Sequence, residues 1–317
     1  MAEELHLIVL WANARYKQDE ILEDVKKSLE IKAAYDIQWS KDKVADNFTR
    51  FYGVFLPDKS GKEKECGTGR FLVLVVEDKA PKYGYIETSR GTEKVNLNIF
   101  DLKQKYRDWT GGGHKVHTTN TIDEVNHDAA LLLGKNYEDL TELCAEAWNG
   151  EIVSMSRDVT GVNGWQSLEE LFYTLNATIN YVVLRGFEDF DKTLNSAEHG
   201  DIDILVDHYD NAAWIVGGEK HFAKRRPHYL ISVGDKKVYI DLWDIRNNYH
   251  DRKWDEAILE DRIFGEVPLA NQPTYLPTYL PTYLYSHAES RTLLLFDDLS
   301  CADSQKRSGI GLLWQNL

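Results

Sequence analysis

Apolar and polar positions alternate between strand-like and helix-like spacing in the first part of the chain. Residues 5–11 form a mostly apolar run that is typical of a strand, and apolar side chains recur at helical spacing across residues 18–29. The same patterns predict further strands at residues 35–39, 71–76 and 115–117, and further helices at residues 43–51 and 122–133. This alternation predicts an α/β arrangement.

The pattern weakens between residues 145 and 164, where glycine, asparagine and serine accumulate. These residue types favour loops, so we assign residues 1–145 to a first domain, 146–164 to a linker and 165–285 to a second domain. Residues 286–317 form a tail for which no fold is predicted. The elements predicted after the linker are a helix at residues 167–175 with Ser167 as its N-cap, strands at 181–184, 201–206 and 237–243, and a helix at 254–263.

Residues 273–284 consist of three copies of the sequence Pro-Thr-Tyr-Leu. A period of four residues is far too short for a solenoid, and the prolines exclude a helix or a central strand. The repeat therefore predicts an extended surface segment.

Acidic residues outnumber basic ones, 52 to 37, and give the 317-residue chain a formal net charge of −15. Such a surface repels the backbone of a long nucleic acid, so we do not expect that partner, whereas a small nucleotide carried with magnesium is compatible with it. The N-terminal residues lack the features of a signal peptide or a membrane span, and we expect a cytoplasmic protein without membrane association. Three widely spaced cysteines predict reduced thiols.

Two aspartates lie two residues apart on the strand predicted at residues 201–206. Because side chains alternate along a strand, Asp201 and Asp203 leave from one face while Ile202 and Ile204 enter the core. Asp241 lies on a later apolar strand and joins the pair if the two strands are neighbours. Carboxylates that share Mg²⁺ or Mn²⁺ catalyse in-line displacement at phosphorus. The alternative interpretation is that these aspartates are solvated surface residues.

A glycine turn precedes these aspartates. Gly186 ends a predicted strand, where backbone amides can approach phosphates closely. The order of a strand and glycine, an Asp-x-Asp pair and a later aspartate resembles the DNA polymerase beta type nucleotidyltransferases, over residues 165–263. The resemblance implies a mixed sheet with helices, in which Asp201 and Asp203 hold the metal ions. It also implies that Asp241 completes the site and helps to deprotonate the acceptor.

Three arginines near these motifs are candidates for nucleotide binding. Arg185 precedes the glycine turn, and Arg225 and Arg226 lie between the aspartate motifs, from where they can contact the triphosphate or the acceptor. A basic pair is equally often a solvated surface feature. The sequence departs from the nucleotidyltransferase pattern at Phe187, where the family usually has serine or a second glycine.

The first half of the chain resembles nucleoside diphosphate kinase over residues 5–134. The predicted elements follow that family's order, and a Thr-x-Arg-Gly segment that contains Arg90 precedes a strand that carries His117. The resemblance implies an α/β sandwich, with His117 as the residue that carries phosphate and Arg90 as a phosphate ligand. An activated nucleophile of this kind needs neighbours that orient it.

Departures from the kinase pattern leave alternatives open for this half. The first strand ends in Trp11-Ala12-Asn13 where the family has a lysine, and His114 stands where it has an asparagine. One alternative is that the kinase-like fold serves nucleotide binding or packing without phosphotransfer. Another is that His117 is a hydrogen-bonded core histidine. Zinc is not predicted, because His114 and His117 lie three residues apart on a strand and point to opposite faces.

Together these patterns predict a two-domain α/β (α+β) enzyme, a magnesium-dependent nucleotidyltransferase. Its substrate is a nucleoside triphosphate, whose nucleotidyl group passes to a small molecule such as a sugar or polyol phosphate, or to a protein, with release of pyrophosphate. The alternatives are a phosphotransferase that works through His117 and a nucleotide-binding module without turnover. The nucleobase, the acceptor and the oligomeric state are not predicted.

Overall fold

The computed structural model of the protein describes residues 3–88, 91–185, 201–223, 226–246, 251–262 and 268. Its strands are β1 (Glu4–Leu10), β2 (Glu30–Gln38), β3 (Phe71–Asp78), β4 (Tyr83–Thr88), β5 (Gly91–Asn96), β6 (Val116–Thr118), β7 (Val153–Ser156), β8 (Tyr181–Arg185), β9 (Asp201–Val206), β10 (Glu219–Ala223), β11 (Arg226–Val233) and β12 (Lys236–Asp244). Its helices are α1 (Gln18–Val25), α2 (Val44–Tyr52), α3 (Gly61–Cys66), α4 (Leu97–Trp109), α5 (Ile122–Leu133), α6 (Tyr137–Leu143), α7 (Leu168–Thr178), α8 (Tyr209–Val216) and α9 (Arg252–Glu260).

Five strands form the first sheet, in the order β6-β1-β3-β2-β7. Neighbouring strands run antiparallel except for β2 and β7, which are parallel. Strands β1 and β3 are almost continuously apolar because both faces of this sheet are covered. Helices α2 and α5 contribute to the apolar cluster on one face, and α1 and α4 to the cluster on the other. A separate hairpin of β4 and β5 follows β3.

The second sheet also has five strands, in the order β10-β11-β12-β9-β8. It is mixed, because β12 and β9 are parallel while the other neighbours are antiparallel. Helices α7 and α8 pack against one face of this sheet. Helix α9 contacts β8 and β9. The architecture is therefore a mixture of helices and mixed sheets, which confirms the predicted α+β class.

One apolar cluster includes side chains from both sheets and from the segment that joins them. Trp165 lies in this cluster, and its indole nitrogen donates to the carbonyl oxygen of Val216 at 3.0 Å. The described residues all fall within one compact unit, residues 1–270. The boundaries of the two predicted domains stay a prediction, and the repeat at residues 273–284 and the tail lie outside the described residues.

Most of the predicted elements are confirmed, and two have the predicted bounds, the helix Ile122–Leu133 and the strand Asp201–Val206. Ser167 caps α7 as expected, since its hydroxyl oxygen accepts from the amide of Glu170 at 3.3 Å. The Glu170 carboxylate accepts from the amide of Gln166.

Three predictions need correction. The helix expected at residues 18–29 ends at Val25, because the chain turns there to begin β2 at Glu30. The strand expected at 35–39 therefore starts five residues earlier. The expectation of loop throughout residues 146–164 is wrong at β7, which pairs with β2. This strand is short and mostly exposed, so it has too few buried positions to give an apolar period.

Among the helices that the structure describes, none combines the length and the apolar character that a membrane crossing requires.

Candidate functional site

Asp203 and Asp241 lie directly opposite each other on the parallel strands β9 and β12. Their neighbours Ile202 and Ile240 point into the apolar cluster, so both aspartates leave from the other face of the sheet. The two residues are buried, with exposed fractions of 7% and 4%. The condition set for Asp241, that its strand is a neighbour of the strand of Asp203, is therefore met. Buried ionisable side chains at opposed positions mark a candidate functional site.

Further polar groups border this pair. Asp201 lies two residues before Asp203, opposite Tyr239, and is partly exposed. On the other side, His228 of β11 is paired with Asp241, and its Nδ1 atom lies 3.9 Å from Oδ2 of that carboxylate. The aspartates therefore form a row that runs from a partly exposed position to a buried one, with an imidazole beside the buried end.

The fit of a metal ion depends on how many protein ligands it needs. Among the described residues, no group of three or more histidine, cysteine, aspartate or glutamate side chains is arranged to hold a metal ion. Magnesium that arrives with a nucleotide usually takes one or two carboxylates from the protein, and phosphate oxygens and water supply the rest. The Asp203 and Asp241 pair fits that smaller requirement.

Most of the predicted nucleotide ligands lie at or beyond the limits of the described residues. Gly186, Arg225 and Arg90 lie outside the described residues. For Arg185 only the backbone is described, at the end of β8, where it pairs with Asp203 of β9. For Arg226 the described backbone begins β11. Their roles stay predictions.

Asp244 lies three residues beyond Asp241 and has a separate structural role. Its carboxylate accepts from the amide of Tyr209 at 3.3 Å, at the start of α8, and pairs with Arg246 at 2.6 Å. Burial raises the pKa of Asp244, but the hydrogen bonds from Arg246 and Tyr209 outweigh that effect and lower it. This aspartate therefore anchors a helix and a loop.

The candidate phosphate carrier of the first half, His117, is held by a carboxylate. His117 lies on β6 opposite Val9, and its Nε2 atom is 2.6 Å from Oδ2 of Asp128 on α5. The ring packs edge-on against Phe51 and Tyr52 of α2. Among the described residues, Nδ1 of His117 has no hydrogen-bond partner.

Asp128 is a functional candidate that the sequence interpretation missed. It is 5% exposed and also accepts a hydrogen bond from Nδ1 of His127 at 2.9 Å. Burial raises the pKa of Asp128, but the charges and hydrogen bonds of His117 and His127 lower it to about 2. One signal was available in the sequence. Asp128 falls at helical spacing from Val125 and Leu132, so a charged residue lies on the apolar face of α5.

Basic side chains contact two neighbours of His117, Tyr52 and Val116. The ammonium group of Lys62 lies 3.9 Å from the centre of the Tyr52 ring, and Arg107 donates from Nε to the carbonyl oxygen of Val116 at 3.0 Å. Burial lowers the pKa of Lys62, and repulsion from Arg107 lowers it further. Burial also lowers the pKa of His114, with Lys62 and Arg107 adding to the effect. Lys62 and Arg107 thus bring positive charge next to His114, and Glu65 adds a negative charge there.

The residues that replace the expected lysine have structural roles. Trp11 is buried, and its indole nitrogen donates to the hydroxyl of Tyr52 at 3.1 Å. Asn13 donates to the carbonyl oxygens of Lys64 and Glu65 at 3.0 Å, and so ties the end of β1 to α3. Helix α3 carries Lys62, so a basic side chain reaches this region from another part of the chain.

Comparison with known proteins gives a partial structural likeness. No family model and no curated protein matches the sequence. A solved structure of nucleoside diphosphate kinase from Aquifex aeolicus is similar to part of the chain, with a TM-score of 0.28 and 14% identity, over 41% of this chain and 94% of that chain. The likeness is weak and says nothing of activity. No family model supports the resemblance to nucleotidyltransferases.

Proposed function

We propose that the protein is a nucleotidyltransferase that transfers a nucleoside monophosphate from a nucleoside triphosphate to an acceptor oxygen. The observation that carries this proposal is the pairing of Asp203 with Asp241 across β9 and β12, on one face and largely buried. A stable fold gains nothing from two like charges at directly opposed positions in a sheet. A bound cation would compensate the charges of both carboxylates.

The reaction forms a bond between the acceptor oxygen and the α-phosphorus, and breaks the bond from that phosphorus to the bridging oxygen of pyrophosphate. Asp203 and Asp241 would hold magnesium, which would neutralise phosphate charge when bound. Asp241, with His228 beside it, would receive the proton of an acceptor hydroxyl. Asp201 would extend the row of carboxylates at its more exposed end.

The net charge of the chain favours a small acceptor over a nucleic acid. With a formal charge of −15 the protein repels extended phosphate backbones, whereas a sugar or polyol phosphate, or a hydroxyl of a protein, meets less repulsion. This is the basis on which we propose a small-molecule or protein acceptor.

Calorimetric titration with a nucleoside triphosphate tests the site without knowledge of the acceptor. We expect binding that requires magnesium and that is lost in the double variant Asp203→Asn/Asp241→Asn. Asp235→Asn is the matched control, because Asp235 is exposed in the turn between β11 and β12. Binding that is unchanged in the double variant would exclude the aspartate pair.

A second candidate function is phosphotransfer through His117, and a separate observation favours it. The Nε2 atom of His117 is bound to the ionised carboxylate of Asp128, which leaves the lone pair of Nδ1 available in the neutral ring. That nitrogen would attack the γ-phosphorus of a nucleoside triphosphate. The phosphorus would part from the oxygen it shares with the β-phosphate, and a nucleoside diphosphate would leave.

The position of a radioactive label distinguishes the two reactions. Nucleotidyl transfer moves the α-phosphate to the acceptor and requires Asp203 and Asp241, so it persists in His117→Asn. Phosphotransfer moves the γ-phosphate onto the protein, is lost in His117→Asn and persists in the aspartate variants. Magnesium-dependent binding with no transfer of either label would point instead to a nucleotide-binding module.

A further inference from the structure

We propose that His127 is a positioning residue for His117, acting through the carboxylate that the two histidines share. This inference rests on the second candidate function, phosphotransfer through His117. It assigns a role to a side chain that neither family resemblance includes.

The geometry is that of one buried carboxylate between two imidazoles. Oδ2 of Asp128 is 2.6 Å from Nε2 of His117, and Oδ1 is 2.9 Å from Nδ1 of His127. Each carboxylate oxygen thus accepts a hydrogen bond from one imidazole ring. Both histidines lie against Phe51, whose ring centre is 5.4 Å from that of His117 and 6.5 Å from that of His127. The carboxylate is shielded from water, so these contacts fix its orientation.

Hydrogen-bond chemistry then determines the state of each ring. An ionised carboxylate only accepts, so the ring nitrogens that face it must both carry protons. In the neutral form, His117 is therefore held as the tautomer with hydrogen on Nε2 and a lone pair on Nδ1. A carboxylate held by a single hydrogen bond can rotate about its terminal torsion, which is broad for aspartate. The bond from His127 removes that freedom and keeps Oδ2 directed at His117.

His127 does not take part in bond formation in this proposal. The reacting atom is Nδ1 of His117, and His127 acts at the far side of Asp128. At metal sites, supporting hydrogen bonds of this kind fix the tautomer and orientation of the ligating histidine, and their loss reduces metal affinity or activity by about tenfold or more. A purely structural role for His127 would leave the tautomer of His117 unchanged once the protein is folded.

Two substitutions of His127 separate the hydrogen bond from the shape of the ring. His127→Phe keeps a ring against Phe51 and removes the donor. His127→Asn loses the ring and keeps an amide nitrogen close to the position of Nδ1. The measurement is the nitrogen-15 NMR spectrum of the imidazoles in the full-length protein, which reports which ring nitrogen of His117 is protonated. Amide spectra of each variant show whether it is folded.

We expect a single tautomer of His117 in the wild type and in His127→Asn, and a mixture of both tautomers in folded His127→Phe. Phosphorylation by phosphoramidate, which moves a phosphoryl group from ammonia to a ring nitrogen, should slow by about tenfold in His127→Phe and recover in His127→Asn. A wild-type tautomer in His127→Phe, or equal slowing in both variants, would overturn the proposal. If the tautomers are as expected but nucleotide does not label the wild type, the second candidate function is wrong. The positioning role of His127 would still stand.

Discussion

The guanidinium of Arg50, on α2, donates from Nη2 to the carbonyl oxygen of Gly161 at 2.9 Å. Its Nη1 atom donates to the carbonyl oxygen of Ile215, and the group lies over the ring of Trp165. Arg50 is buried and has no carboxylate partner among the described residues. One side chain thus joins the helix beside the first sheet to the end of a helix that packs on the second.

Replacement of Arg50 by methionine should destabilise the protein. Burial lowers the pKa of Arg50 to about 10, which marks a desolvation cost of about 3 kcal/mol. Two hydrogen bonds from a charged donor return about 3 to 6 kcal/mol, and the contact with Trp165 adds to this. We expect a net loss of about 2 kcal/mol, measured by urea unfolding.

Two further variants define what Arg50 contributes. Arg50→Lys should be destabilised by a similar amount, because one ammonium group cannot reach both carbonyl oxygens. Lys41→Met, at an exposed position shortly before α2, is the control and should be neutral. Full stability of Arg50→Lys would show that the positive charge alone stabilises the fold, and that hydrogen bonds to both carbonyl oxygens are not needed.

Asp203→Asn should abolish the stabilisation of the protein by magnesium, because it removes a proposed ligand. A ligand that binds only the folded protein raises the free energy of unfolding. The measurement is urea unfolding with a chelator and with added magnesium, with Asp235→Asn as control. Added magnesium should stabilise the wild type and Asp235→Asn and leave Asp203→Asn unchanged. Equal stabilisation of Asp203→Asn by magnesium would contradict the assignment of Asp203 as a ligand.

The carboxylate of Asp128 should stabilise the fold in a pH-dependent way. Its pKa in the folded protein is about 2, below the ordinary value of 3.8, so its contribution is complete above that value and is lost as the pH falls toward 2. The shift corresponds to about 2 kcal/mol. Asp128→Asn should be less stable than the wild type by this amount near neutral pH, and the difference should shrink in acid. A constant difference between pH 7 and acid would rule out the titration of this group as the cause.

Cys66 and Cys144 should not react with thiol reagents in the native protein. Both are buried free thiols, and burial raises the pKa of Cys66 to about 12 and that of Cys144 to about 11. The thiolate is the reactive form, so little of it exists at mildly alkaline pH. Mass spectrometry of peptides after treatment with iodoacetamide should find both residues unmodified in native protein and modified in urea. Rapid native labelling of Cys66 would indicate that α3 opens.

The strands and helices with a strong apolar period were predictable from the sequence. Strand β9 and helix α5 have the predicted bounds because burial of one face leaves a regular mark on the residue pattern. The hairpin of β4 and β5 and the strand β7 left no such mark, since most of their residues are exposed or half-buried. These elements form by pairing with other strands rather than by covering a core.

The candidate sites, too, were predictable from the sequence only in part. Alternation along one strand determined that Asp201 and Asp203 share a face, and the period of α5 put Asp128 on its buried side. Only the tertiary structure decided that Asp241 lies opposite Asp203, and that one carboxylate serves both His117 and His127. The physical reason is that periodicity records which way a side chain points from its own element. Which strands become neighbours, and which side chains then meet, depends on the packing of the whole chain.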